Sequence, residues 1–330
     1  MASLAGQLQG ERQARMALSM IAEPNDQLTG GLLRRVGGIE TIRLIQDGDR
    51  VPSMNGADAL AWRRRLGPRV APDVMGQLHA AEAAGYGVLI PGDEHWPTGL
   101  AGLGAGEPYV LWVRGAASLL GQPIAEQVTI TGARAATAYG THVAQEFASD
   151  LVAEETTVVS GGAYGIDAAA HRGALAAGGH TIAVLAGGVD RPYPAGNREL
   201  LERISAVGAT VSEMPPGATP TRWRFLARNR VMAAMSASTV VVEAGYRSGS
   251  LNVASLAHEL GRTVGAVPGP ITSAVSAGAH RLIREGIGQL VTVPGELLSL
   301  NRDAAPGTGL PSSPSLDAKP SAQTRSTPTL

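Results

Sequence analysis

Short apolar runs rich in β-branched residues alternate with helix-like segments between residues 127 and 293, and this alternation constrains the fold more than any other feature. The pattern is typical of a parallel sheet with helices on both faces. Right-handed crossovers bring the carboxyl ends of the strands to one edge, where such sheets bind ligands. The predicted strands are residues 127–131, 157–160, 181–185, 210–213, 239–243, 263–267 and 289–293.

Two regions of different character flank this doubly wound α/β unit. Residues 1–75 predict short helices, two of them joined by Gly37-Gly38, and we expect a small all-helical domain of helix-hairpin or SAM-like type. A helix–Gly–Gly–helix unit either binds a DNA backbone or only packs, and packing is the commoner use. Residues 301–330 are rich in Pro, Ser, Thr, Gly and Ala, which predicts a disordered tail because little apolar surface is available to bury. The α/β domain is predicted over residues 76–300.

Composition excludes several classes of chemistry. The chain has no cysteine, which rules out disulfides, thiolate metal sites and thiol nucleophiles. Its only lysine is Lys319, in the predicted tail, so neither a phosphate-loop lysine nor a Schiff-base lysine lies in the folded region. With a net charge of −1, any nucleic-acid site must be a local patch. We expect no metal, no cofactor and no membrane contact, and a cytoplasmic location.

Glycine-containing loops follow five of the predicted strands. They include Gly132, Gly161-Gly162, Gly187-Gly188 and the turn Ser248-Gly249-Ser250. Glycine lets backbone N–H groups and helix amino ends approach a phosphate closely, so this edge favours a phosphate-bearing ligand. The spacing differs from the G-x-G-x-x-G dinucleotide fingerprint, which makes a bound NAD the weaker interpretation.

The densest chemical signal is the segment 221–230, which reads TRWRFLARNR and holds four arginines and two aromatic residues. Arginines such as Arg222 neutralise phosphates, and aromatic faces stack on unpaired bases. The alternative is a helix start with Trp223 and Phe225 packed in the core and the arginines solvated. Because the segment is expected near the ligand edge of the sheet, we favour single-stranded nucleic acid.

Hydrolytic catalysis is a weaker hypothesis. Asp167 and His171 lie four residues apart on a predicted helix, so a hydrogen-bonded pair is feasible. Ser160, however, ends a strand before two glycines rather than occupying a G-x-S-x-G elbow. Asp167 near a helix start is better placed to hold its own loop. We therefore predict that the protein is not an enzyme and has no catalytic residues.

Taken together, these motifs resemble the bacterial DNA-processing protein A family (DprA, also called Smf). The similarity extends over about residues 77–298 and implies an extended Rossmann-like domain. The motifs that carry it are Gly132-Ala133-Arg134, Ser160 to Asp167, Gly188-Val189-Asp190, Phe225 to Arg230, Ser248-Gly249-Ser250-Leu251 and Val267-Pro268-Gly269. The resemblance implies that Arg134 is a pocket arginine and that Phe225 stacks on a base. It also implies DNA contacts for Arg228, Asn229, Arg230, Gly161, Gly162, Ser248, Gly249 and Ser250.

The same resemblance implies partners. The protein would bind and protect incoming single-stranded DNA, load the recombinase RecA in natural transformation and form a homodimer. Because Leu282 and Ile283 are adjacent on one predicted helix, one of them is expected to be exposed, and we predict a dimer interface of Leu282, Ile283 and Ile287. The alternative function is a nucleotide-processing enzyme on a similar sheet, of the nucleoside-monophosphate phosphoribohydrolase class. Residues 243–250 lack the P-G-G-x-G-T-x-x-E run of those enzymes.

Overall fold

The computed structural model describes residues 3–70 and 73–303, which form a nine-stranded sheet with helices on both faces. The strands are β1 (Gly87–Leu89), β2 (Leu111–Gly115), β3 (Gln127–Thr131), β4 (Thr157–Ser160), β5 (Thr181–Leu185), β6 (Ala209–Ser212), β7 (Ser238–Val241), β8 (Thr263–Ala266) and β9 (Gln289–Leu290). Strands β3 to β9 pair in parallel, whereas β2 pairs antiparallel with both β1 and β6. The predicted α/β class with a mainly parallel sheet is confirmed.

The strand order places a crevice beside β3. The sheet runs β1-β2-β6-β5-β4-β3-β7-β8-β9, so the chain adds β4 to β6 on one side of β3 and β7 to β9 on the other. Where the direction of winding reverses, the loops after neighbouring strands diverge and leave an opening at their carboxyl ends. The loops after β3, β4 and β7 therefore border the opening.

Helices account for most of the remaining described residues. The α-helices are α1 (Leu4–Gln7), α2 (Glu11–Ile21), α3 (Gln27–Val36), α4 (Gly38–Gln46), α5 (Gly56–Leu66), α6 (Asp73–Ala83), α7 (Ala138–Ala153), α8 (Ile166–Ala176), α9 (Arg198–Val207), α10 (Arg222–Met235), α11 (Ser250–Glu259), α12 (Ala277–Arg284) and α13 (Pro294–Asp303). Short 3₁₀ helices cover Gly67–Arg69, Thr98–Gly106, Ala117–Gly121, Ile124–Glu126 and Ala195–Asn197.

Two apolar cores lie on opposite faces of the sheet. Adjacent strand residues divide between them: Val158 packs with α7 and α8, whereas Val159 packs with α10 and α11. Val240 and Val241 divide in the same way. Successive side chains of a strand point to opposite faces, so apolar residues at every position produce a sheet buried on both sides.

The amino-terminal helices have a core of their own. Trp62 is 1% exposed at its centre, and Trp112 of β2 joins the same cluster. The indole nitrogen of Trp112 donates a hydrogen bond to Ser19 Oγ at 3.3 Å, which ties α2 to the sheet. The predicted domain boundary after residue 75 falls inside α6, whose Leu78 packs into the helical core. A division at that point would cut a helix.

The Gly37-Gly38 turn between α3 and α4 binds a side chain of the same protein. Gly37 has a φ of 80°, a left-handed conformation that suits glycine. The amide of Gly38 donates a hydrogen bond to Glu11 Oε2 at 2.7 Å. A carboxylate therefore takes the backbone donor that a DNA phosphate would use, which favours packing over DNA binding for this unit.

The structure differs from the sequence predictions at several places. Strands β1 and β2 were not predicted; they are short and pair antiparallel at one edge. The sequence predicts a helix over residues 228–235, but α10 begins six residues earlier, at Arg222, because Thr221 caps it by accepting a hydrogen bond from the Arg224 amide. Residues 301–303 belong to α13, and the rest of the predicted disordered tail, 304–330, lies outside the described residues. No helix in 3–70 or 73–303 is long and apolar enough to cross a membrane.

Candidate functional site

An open pocket of about 690 Å³ lies at the crevice beside β3, with α10 as one wall; we call it the Phe225 pocket. It is lined by Thr131, Gly132, Arg134, Ala163, Asp167, Tyr193, Pro220, Thr221, Arg222, Phe225, Leu226, Arg228, Asn229, Arg247, Ser248, Gly249, Ser250 and Val253. The structure thus brings together eight of the predicted DNA-binding residues. Gly161, Gly162 and Arg230 are absent from the lining.

Phe225 is half-buried in the wall of this pocket and is held by three neighbours. The guanidinium carbons of Arg134 and Arg228 lie 5.0 and 5.7 Å from its ring centroid. The Tyr193 ring lies 5.9 Å away, tilted by 58°. These are cation–π and tilted aromatic contacts, so the ring is fixed in orientation while part of it remains open to the pocket.

The rim of the pocket carries surplus positive charge. Arg134, Arg222 and Arg247 are exposed, and none of them has an ion-pair partner in the described part of the chain. Asp167 is the one acidic residue of the lining. Arg224 of the same helix is neutralised, because its Nε donates to Glu23 Oε2 at 2.9 Å. In the first turn of α10, Arg222 is thus left free at the pocket, whereas Arg224 is paired.

Arg228 is part of the pocket floor. It is 8% exposed, and its Nη1 donates to the backbone oxygens of Gly161 and Val184 at 2.8 and 2.9 Å. Burial lowers the pKa of Arg228, while the nearby Asp167 carboxylate acts in the opposite direction. The guanidinium thus joins the loop after β4 to β5 and supports the Phe225 ring from below.

Arg230 has a structural role instead of the predicted contact with DNA. It is buried, and its guanidinium binds both oxygens of Glu213 at 2.5 Å and the Gly106 backbone oxygen at 2.8 Å. The side chains of Arg230 and Glu213 are only 5% and 9% exposed. With a further bond from Nη1 to the Ala227 oxygen at 2.7 Å, four of the five N–H donors of Arg230 are engaged within the fold, which argues against the predicted contact with a phosphate.

Gly161 and Gly162 are also structural. Both are buried, so neither offers the DNA-backbone contact that was predicted. A Cβ atom on Gly161 would lie 1.9 Å from Arg228 Nη1, so only glycine leaves room for that guanidinium. Gly162 adopts a φ of 68°, and its oxygen accepts a hydrogen bond from Asn197 Nδ2 at 3.0 Å. The two glycines shape the loop that holds Arg228.

The turn before α11 forms the opposite wall. Asn229 Nδ2 donates to the Gly249 oxygen at 3.3 Å and to Asn252 Oδ1 at 3.1 Å, which fixes the turn against α10. The hydroxyl oxygens of Ser248 and Ser250 lie 2.8 Å apart. The amino end of α11 thus reaches the pocket, where its partial positive charge favours an anion.

The carboxylate and imidazole side chains in and near the pocket form hydrogen bonds within the fold. Asp167 accepts a hydrogen bond from Thr131 Oγ1 at 3.0 Å, and burial raises its pKa. Glu243 accepts bonds from the Thr137 amide and hydroxyl at 2.9 and 2.6 Å. His171 Nδ1 pairs with Thr181 Oγ1 at 2.7 Å, so the envisaged Asp167–His171 pair does not form. Residues 3–70 and 73–303 contain no cluster of His, Asp and Glu suited to a metal ion.

The lining residues that the sequence did not assign to the site include an arginine and an aromatic residue, Arg247 and Tyr193. Arg247 directly precedes the predicted Ser248-Gly249-Ser250 turn, and Tyr193 follows β5 in the segment Arg191-Pro192-Tyr193-Pro194. Both lie in loops at the carboxyl edge of the sheet, and this position was the signal that could have identified them.

Leu282 does not lie on an exposed surface. It is 2% exposed and packs in the main core with Ala279, three residues earlier on the same face of α12. The prediction that Leu282 contributes to a dimer interface is therefore wrong. Ile283 and Ile287 are partly buried against the same core, and Leu290 beyond them is 52% exposed.

The fold and the pocket define a doubly wound α/β protein whose pocket, lined by arginines and aromatic residues, lies where the winding of the sheet reverses. Comparison with known proteins identifies relatives of this chain. Residues 87–301 match the family described as DNA recombination-mediator protein A. A putative DNA processing protein DprA of Mycobacterium tuberculosis (strain ATCC 25618 / H37Rv) is 46% identical over 288 residues, which are 83% of this chain and 71% of that protein. The chain therefore belongs to the DNA recombination-mediator protein A family, as its motifs predicted.

Other relatives match shorter stretches or the fold. The DNA processing protein DprA of Streptococcus pneumoniae (strain ATCC BAA-255 / R6) is 40% identical over 192 residues, 58% of this chain and 66% of the relative. The X-ray structure of DprA from Streptococcus pneumoniae has a TM-score of 0.69 at 32% identity and covers 86% of this chain and 95% of that one. A structure of DNA processing protein A from Helicobacter pylori, studied for its single-stranded DNA binding mode, has a TM-score of 0.59 at 27% identity. It covers 65% of this chain and 94% of that one.

Proposed function

We propose that the Phe225 pocket binds single-stranded DNA. The observation that carries the proposal is the Phe225 ring, held between Arg134 and Arg228 and open to a pocket whose rim has unpaired arginines. Aromatic faces stack on bases, and guanidinium groups neutralise the phosphates between them. The Helicobacter pylori relative, a single-stranded DNA binder, supports the same assignment.

The chemistry of the pocket favours single strands over duplex. Stacking on a protein ring requires a base that is not already stacked within a helix. Sequence would not be read, because stacking and backbone charge are available with any base. The protein acts by holding DNA rather than cleaving it, since the carboxylates of Asp167 and Glu243 are engaged in holding loops.

The test is fluorescence anisotropy with a labelled dT20 strand and the matched dA20–dT20 duplex. We expect tighter binding of the single strand, with an affinity that falls steeply with salt. Phe225→Ala should weaken binding by about 1–3 kcal/mol, the range for one stacked base, and leave the salt slope unchanged. Equal affinity for strand and duplex, or a Phe225→Ala variant that melts early but binds normally, would contradict the proposal.

The finer part of the proposal concerns partners. A cytoplasmic protein of this family would protect incoming single strands and pass them to the recombinase RecA during natural transformation. RecA-promoted strand exchange should be accelerated by the wild-type protein and much less by Phe225→Ala. If the wild-type protein did not accelerate strand exchange, the proposed transfer to RecA would be contradicted, whereas the proposed DNA binding would still stand.

A homodimer remains part of the proposal, through the partly exposed Ile283 and Ile287 with Leu290 rather than through Leu282. Two pockets side by side would hold one strand with an avidity gain. Sedimentation of Ile283→Glu at micromolar concentration is expected to show a monomer. A variant that stays folded and sediments like the wild type would exclude this interface.

A further inference from the structure

Helix α10 presents a second apolar surface beside the Phe225 pocket. Trp223 is 49% exposed and Leu226 is 42% exposed, although the carboxyl-terminal half of the same helix is buried. Both side chains line a neighbouring groove of about 460 Å³, which we call the Trp223 groove. The Trp223 indole nitrogen makes no hydrogen bond within 3–70 or 73–303. About half of this ring is therefore open to solvent.

The groove is continuous with the Phe225 pocket. Leu226 lines both cavities. Asn229 lines the pocket and Asn252 lines the groove. A hydrogen bond of 3.1 Å between their side chains forms part of the boundary between the two cavities. A strand leaving the pocket on this side has one leucine side chain to cross before it reaches Trp223.

The two cavities differ in charge. The pocket has unpaired arginines on its rim, whereas the arginine of the groove, Arg230, is committed to Glu213. The groove also contains the exposed carboxylate of Glu259. A phosphate would find no free cation there. An uncharged ring would find the Trp223 face, the aliphatic side chain of Leu226 and the amide of Asn252.

We infer that Trp223 stacks a second nucleobase, so that bound DNA runs from the Phe225 pocket across Leu226 into the Trp223 groove. The inference rests on the proposed single-stranded DNA binding. Arg222 lies beside Trp223 in the chain but lines the pocket, where it would neutralise a phosphate at the crossing. Continuity with the pocket favours this occupant over an apolar side chain of a protein partner.

Intrinsic fluorescence isolates this site. The chain has four tryptophans, and Trp62, Trp96 and Trp112 are 1%, 6% and 0% exposed. Quenching by an added oligonucleotide therefore reports mainly on Trp223. The wild-type protein is titrated with unlabelled dT strands of 3 to 20 nucleotides, a series that spans roughly one to several stacked bases. We expect quenching with long strands only, because the shortest strands fill the Phe225 pocket without reaching the groove.

Variants give the second readout. Trp223→Ala should lower the affinity for dT20 by about 10-fold or more, leave the affinity for the shortest strand that binds unchanged and leave the salt slope intact. Trp223→Phe should retain most of the affinity and lose the quenching. Val207→Ala is the matched control: Val207 is 48% exposed, but it precedes β6 and so lies at the opposite edge of the sheet.

The outcomes separate this inference from the proposed function. If dT20 binds without quenching and Trp223→Ala binds every length like the wild type, the inference is wrong while the DNA-binding proposal stands. If Trp223→Ala keeps its DNA affinity but no longer supports RecA-promoted strand exchange, the groove is a protein-docking site and the inference is again overturned. If the wild type binds no strand at all, the proposed function itself fails.

Discussion

Replacing Arg230 should destabilise the fold rather than weaken the proposed DNA site. The structure places this guanidinium, 5% exposed, against Glu213, 9% exposed, with a further bond to the Gly106 oxygen. Arg230→Ala would leave the Glu213 carboxylate buried without its partner. Breaking a buried ion pair from one side costs about 3–5 kcal/mol. For a chain of this size, about 2 °C is lost per kcal/mol, so the melting temperature should fall by roughly 6–10 °C.

The assay combines thermal melting with DNA binding at several salt concentrations. The folded fraction of Arg230→Ala should keep the wild-type salt slope, because no phosphate contact has been removed. The double variant Arg230→Met/Glu213→Leu should recover much of the lost stability, since it removes both charges together. A variant that melts like the wild type while its salt slope falls by about one unit would refute the reasoning and restore Arg230 as a phosphate contact.

Three further predictions concern the pocket and its support. Arg134→Ala should reduce the salt slope by about one unit without changing the melting temperature, whereas Arg114→Ala, an exposed arginine at the opposite edge of the sheet, should leave both unchanged. Gly161→Ala should lower stability by about 1–3 kcal/mol in a denaturant titration, because its Cβ would lie 1.9 Å from Arg228 Nη1; unchanged stability would mean that the guanidinium moves freely. Burial lowers the pKa of His171 to about 3, so the folded state keeps it neutral while the unfolded chain protonates near 6.5. This contribution to stability is present above about pH 6.5 and is lost as the pH falls towards 3, by about 1.4 kcal/mol per pH unit, and His171→Gln should flatten that part of the urea-denaturation profile.

Local sequence was sufficient to predict the parallel sheet and the edge at which the Phe225 pocket lies. The run TVVS at 157–160 has two consecutive valines, whose side chains point to opposite faces, so both faces need cover, and the structure buries all four residues. Glycine loops after the strands identified the edge at which the pocket lies. The arginine and aromatic content of 221–230 identified α10 as its wall. Each of these properties depends on residues close together in the chain.

Strands β1 and β2 could not be predicted in this way. Each is short, and their place at the edge depends on antiparallel pairing, above all of β2 with β6, almost a hundred positions further along the chain. β1 has three residues and β2 has five, which is too short for a hydrophobic pattern that would predict the strand or its pairing partner. Long-range pairing decided their structure.

Tertiary structure alone decided which arginines are free. The five guanidinium groups of Arg134, Arg222, Arg228, Arg230 and Arg247 are chemically the same, and the sequence indicates only that they lie near the ligand edge. Arg228 is buried because Gly161 and Val184 present backbone oxygens to it. Arg230 is buried because the carboxylate of Glu213 and the backbone oxygen of Gly106 bind it. Those partners are 17 to 124 positions away in the chain, a separation that no local pattern encodes. The same holds for Leu282 and Ile283, since the rotation of α12 against the sheet determines which of two adjacent apolar residues enters the core.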